Sequence, residues 1–144
     1  MTAAGRRPVS AVVISLNEER NIGACLESLR WADEIVVVDS GSSDGTPEIA
    51  RRYTDKVFEV PWRGFGPQKQ AAVERASHDM VLNVDCDERV TPELASEIGR
   101  LLAGEDVAAA YTVPRRTFVG EKEIRHCGWY PDRTTRLFDR TKAQ

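Results

Sequence analysis

The chain is 144 residues long, with 41% apolar and 30% charged residues; that composition suits one soluble globular domain, and the length excludes two. Lys and Arg number 20 against 23 Asp and Glu, a net charge of −3, which excludes the basic excess of a general nucleic-acid binder. The charge is unevenly placed: residues 114–144 hold 8 basic and 4 acidic side chains, a local +4, so residues 1–113 carry −7.

In chain order, the continuous apolar run Val9 to Leu16 predicts a strand buried on both faces. Asn17 is placed to cap a following helix, in which Ile22, Cys25, Leu26 and Leu29 recur at helical spacing. Glu34 to Val38 predicts a second buried strand ending at Asp39, and the small-residue loop Ser40 to Gly45 follows. Thr46-Pro47-Glu48 has the order of a helix start, with Thr as cap and Pro at the first helical position. Val57 to Val60 predicts a short strand, and Pro67 to Ala76 a helix with Ala72, Val73 and Ala76 on one face. Met80 to Val84 predicts a fourth buried strand, which runs into Asp85-Cys86-Asp87-Glu88. A second Thr-Pro-Glu start at Thr91 opens a helix with Leu94, Ile98, Leu101 and Leu102, stopped by Gly104. Val107 to Val113 predicts a fifth strand. Beyond it, residues 115–126 are expected to form an extended excursion and Thr134 to Phe138 a further strand.

Strands alternating with helices predict an α/β fold with a mainly parallel sheet covered on both faces. Ligands of such sheets bind at the carboxyl ends of strands. Three polar places fall there: Leu16-Asn17-Glu18, Asp39 to Asp44, and Asp85 to Glu88. Asp85 and Asp87, two apart on extended backbone, can face one hard cation such as Mg2+ or Mn2+; a solvated turn before the Thr91 cap fits the same residues. Asp39 can accept from a ribose hydroxyl or a base, while Gly41 and its neighbours let backbone amides approach a ligand. A tight strand-to-helix turn accounts for that loop equally. Lys69 lies early in its helix, where it can hold a phosphate, and Gln68 beside it can reach a base or sugar; a solvated helix charge is the plainer reading. Trp31, Trp62 and Trp129 read as core or rim packing, and Trp129-Tyr130 also as a sugar platform. Both G-x-G-x-x-G and G-x-x-x-x-G-K-[ST] are absent from the sequence, which excludes the dinucleotide and P-loop classes.

Cys25, Cys86 and Cys127 form no C-x-x-C pair, and His78 and His126 make no zinc-ligand spacing. They are expected as reduced, mostly buried thiols. No apolar segment approaches the ~20 residues needed to cross a bilayer, and no signal-peptide core follows Arg6 and Arg7. The expected location is cytoplasmic, at most peripheral at the inner face of the cytoplasmic membrane.

Three blocks, residues 12–18, 35–46 and 82–88, resemble family 2 glycosyltransferases with the GT-A fold in order and spacing. Residues 64–71, 114–120, 126–132 and 136–138 are similar to the bacterial branch containing lipopolysaccharide-core β-1,4-glucosyltransferases. The resemblance covers residues 8–140. It implies inverting, metal-dependent transfer of a hexose, glucose from UDP-glucose, to a lipid-linked lipopolysaccharide-core or related acceptor, with no nucleic-acid partner. It also implies that Leu16, Asn17, Glu18, Asp39 and Gly41 border the nucleotide and that Lys69 lies near it. Asp85 would contact ribose or metal, and Asp87 would hold the divalent cation on the diphosphate.

The layout expected from it is a disordered tail over 1–8 and a GT-A (Rossmann-like) domain over 9–144. Residues 9–113 would bind the nucleotide-sugar, and 114–144 would begin the acceptor side. Family members run roughly another hundred residues. The domain is therefore expected to be incomplete at its C-terminus, with the general base beyond Gln144 and His126 and Asp132 as weak substitutes. Two alternatives stand beside this reading: a nucleotide-sugar-binding module that transfers little or nothing, and a haloacid-dehalogenase-type phosphatase. Glu88-Arg89 after the D-x-D speaks against the second.

Overall fold

The computed structural model describes residues 5–105, 107–115, 117–119, 122–124 and 132–142, with the side chains of 114–134 outside the description. Strand β1 (Val9–Ser15) lies at the centre of a six-stranded sheet, between β2 (Glu34–Asp39) and β4 (Met80–Asp85), both parallel to it. Strand β3 (Val57–Glu59) adds parallel to β2 at one edge. On the other side β8 (Asp132–Asp139) runs antiparallel to β4, and β5 (Ala110–Arg115) runs antiparallel to β8. The sheet order is β3-β2-β1-β4-β8-β5. The expected α/β fold with a mainly parallel sheet is therefore present.

Alternation along the strands builds two cores. Val9, Ala11 and Val13 of β1, with Ile35, Val37, Leu82 and Val84, pack on α1 (Ile22–Glu27), α2 (Thr46–Ala50) and α4 (Pro92–Ala103). Val12, Val36, Val38 and Val81 pack on α3 (Phe65–Glu74) through Ala72, with Ala76 just beyond its end. Helices thus cover both faces. Ile22, Cys25, Leu26 and Leu29 are all fully buried, as their spacing requires.

Two of the expected helix starts differ. Asn17 caps nothing: its φ of +51° is left-handed, a conformation Asn tolerates, and α1 begins only at Ile22, without a side-chain cap. Thr46 lies inside α2 rather than at its cap, because its hydroxyl is engaged by Asp44 and accepts the Glu18 N–H. The Thr91 cap is present, accepting the Leu94 N–H at 3.1 Å. In α4, Ile98 and Leu102 are buried while Leu101 is exposed. Helix α3 starts two residues before Pro67, after Gly64 turns the chain at φ +110°. Strand β5 starts at Ala110, not Val107, and the expected excursion contains a small antiparallel pair, β6 (Thr117–Val119) and β7 (Lys122–Ile124).

Both ends are stitched to the body. Within the expected tail 1–8, Arg6 is buried and donates to Asp33 at 2.7 Å, and Arg7 donates to Asp139 at 3.1 Å. At the amino end of the sheet, Glu34 accepts from Ser10 and from the Ser77 hydroxyl and N–H, each at 2.7 Å, and pairs with Lys56. Burial pushes the Glu34 carboxyl upward, but the Lys56, Ser77 and Ser10 hydrogen bonds outweigh it and hold Glu34 down at about 2, from an ordinary 4.5.

A carboxylate held below its unfolded value stabilises the fold fully above that value and loses the contribution as pH falls through the folded one. The urea midpoint should therefore fall between pH 4.5 and 2 as Glu34 protonates. Glu34→Gln should lower the midpoint at pH 7 and flatten that acid slope. An unaltered slope in the variant would show that other carboxylates govern acid unfolding.

Candidate functional site

The carboxyl ends of β1, β2 and β4 lie along one edge of the sheet, with Ser15 beside Asp39 and Ile14 beside Asp85. A cleft of about 580 Å³ opens there. Ile14, Ser15, Leu16 and Glu18 line it from the end of β1 and Ser40 from β2; Trp62, Phe65 and Lys69 contribute from the approach to α3 and its first turns. Asp85 at the end of β4, with Cys86 and Asp87 just beyond it, completes the described lining. Of the residues selected from sequence, the structure brings Leu16, Glu18, Lys69, Asp85 and Asp87 together. Asn17, Asp39 and Gly41 lie outside the described lining.

Asp39 is 2% exposed and turned into its own loop. Oδ1 accepts from the hydroxyls of Ser15 and Ser42, each at 2.7 Å; Oδ2 accepts from the N–H groups of Gly41 and Ser42 at 3.0 and 2.7 Å. A carboxylate has about four lone-pair sites, and all four are in use. Gly41 makes this turn possible at φ +99°. Asn17 ties the loop to the end of β1: its N–H donates to the Ser42 hydroxyl and its Oδ1 accepts the Ser43 N–H, both at 2.8 Å. Glu18 is held by its N–H on Thr46 and by Asn21, which donates to its carboxylate at 2.8 Å.

Asp85 faces the α3 side of the sheet, where Lys69 Nζ lies 3.6 Å from Oδ1. Its Oδ2 lies 3.4 Å from Arg136 Nη2, and the same guanidinium group meets Glu88 Oε2 at 3.0 Å. Asp87 makes no hydrogen bond or ion pair among the described residues. Gln68 is buried and donates to Ser40 and to the Val60 carbonyl, so it braces the loop instead of facing a ligand. Trp62 lies at the rim of the cleft, not in the core: it and Phe65 are 47% and 71% exposed and meet edge to face with centroids 4.9 Å apart. Cys25 and Cys86 are buried free thiols; burial pushes Cys25 up to about 12, with Glu88, Asp87 and Asp85 adding to the effect, and drives Cys86 upward too. Cys127 and His126 lie outside the described residues, and Asp132 is described only in its backbone, paired with Arg115.

Glu88 and Arg136 lie in stretches that the sequence marks, Asp85 to Glu88 and 136–138, but the sequence assigns neither a role in the site. An acid three residues after Asp85 is the available signal, since such a side chain can reach back across a turn. The role of Arg136 shows only once β8 is paired with β4.

A mainly parallel sheet with a carboxylate-lined cleft at its strand ends has the layout in which open α/β sheets bind their ligands. Residues 10–144 match Glycosyl transferase family 2, and the chain belongs to that family. It is 42% identical over 117 residues to the lipopolysaccharide core biosynthesis glycosyltransferase LpsC of Rhizobium meliloti, covering 78% of this chain and 43% of LpsC. Among solved structures it is similar to the mannosyltransferase PcManGT from Pyrobaculum calidifontis in complex with GDP-Man and Mn2+. That likeness has a TM-score of 0.63 and 26% identity, over 78% of this chain and 37% of the other. Glucosyl-3-phosphoglycerate synthase from Mycobacterium tuberculosis, in complex with Mg2+ and UDP, gives a TM-score of 0.57 and 32% identity over 69% of this chain and 41% of the synthase. The chain spans less than half the length of these relatives. No helix among the described residues is long and apolar enough to cross a membrane.

Because Asp39 satisfies four buried or half-buried donors, Asp39→Ala should cost about 3 kcal/mol of stability. It should also speed amide exchange at Gly41 and Ser42. An unchanged melting temperature would show that the loop closes without the carboxylate.

Proposed function

We propose that this chain is the nucleotide-sugar-binding part of an inverting, metal-dependent hexosyltransferase, carrying glucose from UDP-glucose to a lipopolysaccharide-core or related cell-envelope glycan. The identity to LpsC supports the acceptor class. The UDP and Mg2+ of the mycobacterial synthase complex support the donor and the cation.

One observation carries the reading: three carboxylates, Glu18, Asp85 and Asp87, share the described cleft lining with a single ammonium, Lys69. Such a wall repels a diphosphate unless a cation lies between them. The donor set fits a particular kind of cation. Among the described residues no group of three or more His, Cys, Asp and Glu side chains could cage a metal by itself. Two hard carboxylates without a cage suit Mg2+ or Mn2+, which takes one or two protein carboxylates and completes its shell with water and substrate phosphates. Asp87, with Asp85, would hold the ion, which when bound neutralises the charge developing on the departing diphosphate.

The chain's own residues do the rest. Lys69 brings a fixed positive charge to the same side of the cleft as Asp85. Leu16, Trp62 and Phe65 add exposed apolar surface to the lining, from which a bound nucleotide-sugar displaces water. The Asp39 loop holds Asn17 and, through Thr46, Glu18 in place.

Calorimetry should find that Mn2+ strengthens UDP binding by about tenfold or more, that Asp87→Ala abolishes the enhancement, and that Lys69→Met weakens binding several-fold. Wild-type protein that binds UDP equally with Mn2+ and with EDTA would overturn the proposal.

A further inference from the structure

We infer that Glu88 and Arg136 are positioning residues for the Asp85-Cys86-Asp87 turn: Glu88 fastens the turn, and Arg136, from β8, fastens Glu88. This assignment rests on the reading of the cleft as a metal and nucleotide site.

The turn is closed twice by one residue. The Glu88 N–H donates to the Asp85 carbonyl at 2.9 Å, and the Asp85 N–H donates to Glu88 Oε1 at 2.8 Å. This reciprocal backbone and side-chain closure has the logic of a capping box. The second carboxylate oxygen of Glu88 accepts from Arg136 Nη2 at 3.0 Å. Arg136 is 6% exposed, and a guanidinium group buried to that degree has to be fully partnered. Among the described residues its partners are all in this turn and the strand leading to it: Glu88, Asp85 Oδ2 at 3.4 Å and the Asn83 carbonyl at 3.4 Å. One planar fork serves three acceptors, which an ammonium group on a flexible stem cannot do in the same way.

Arg136 and Glu88 are absent from the described cleft lining, whereas Asp85 and Asp87 are on it. The pair therefore acts on a ligand through the turn, not by touching it. Its effect is to fix the turn that carries two carboxylates onto one cleft, with a positive charge against Asp85. Outer partners of this kind typically carry 10–100-fold in metal affinity.

The test measures UDP affinity of the 144-residue chain in Mn2+ and in EDTA, together with thermal melts and amide exchange. Glu88→Ala is expected to weaken Mn2+-supported UDP binding by about tenfold with little change in EDTA, and to speed exchange at the Asp85 amide. Glu88→Gln keeps an acceptor for that amide but loses the charge facing Arg136, so its loss should be intermediate. Arg136→Met should weaken the same Mn2+-supported binding, Arg136→Lys should restore only part of it, and Arg136→Met should cost less in the Glu88→Ala background than in wild type. If Arg136→Met does not fold, the near-isosteric Glu88→Gln decides. Glu88 variants that bind Mn2+ and UDP like wild type, or that lose binding equally in Mn2+ and EDTA, would overturn the assignment. A wild-type chain with no Mn2+ enhancement would overturn the functional reading and this assignment with it, and that result is visible before any variant is made.

Discussion

A strand flanked by two parallel neighbours sets the terms for everything else in this molecule. Parallel pairing forces each of β1, β2 and β4 to leave the sheet at the same edge and return by a crossover. The residues that follow these strands are therefore crowded together whatever their identity. Here they are acids and small polar residues. The cleft follows from topology first and from side-chain chemistry second.

Register then divides the work between the two strand-end acids. Asp39 lies opposite Ser15 and shares the face of Val37, towards α1 and α2. Asp85 lies opposite Ile14 and shares the face of Val81, towards α3. A period of two is enough to send one carboxylate into a loop and the other towards Lys69. Asp39 consequently spends its charge on organising the Ser40 to Gly45 loop, and that loop in turn seats Asn17 and Glu18. The two acids thus stand on the strands that flank β1, one register step apart and on opposite faces of the sheet.

The parts legible in the sequence were those that depend on local pattern. Continuous Val and Ile runs marked the buried strands, the Ile22 to Leu29 spacing marked a buried helix face, and Thr91-Pro92-Glu93 marked a real cap. The parts that were not legible depend on partners distant in sequence. Asn17 has the right chemistry for a cap, but the Ser42 and Ser43 groups of another loop claim it. Thr46 is diverted in the same way by Glu18 and Asp44. Trp62 and Phe65 carry no sequence mark of exposure, and their place at the cleft rim shows only in the fold.

Antiparallel insertion of β8 between β4 and β5 changes the meaning of the basic C-terminal part. Its local excess of +4 suggests a surface turned towards an anionic partner, yet two of its described arginines are turned inward. Arg136 is used on Glu88, Asp85 and the Asn83 carbonyl. Arg140 donates to the carbonyls of Val73 and Ala76 at 2.9 and 2.7 Å, meeting the negative end of α3. These contacts cement β8 to β4 at one end and to α3 at the other. Part of the basic charge of this C-terminal part is therefore used inside the fold: β8, itself neutral with two Asp and two Arg, places Arg136 behind the acids of the cleft. Any electrostatic attraction for an anionic acceptor has to come from the remainder.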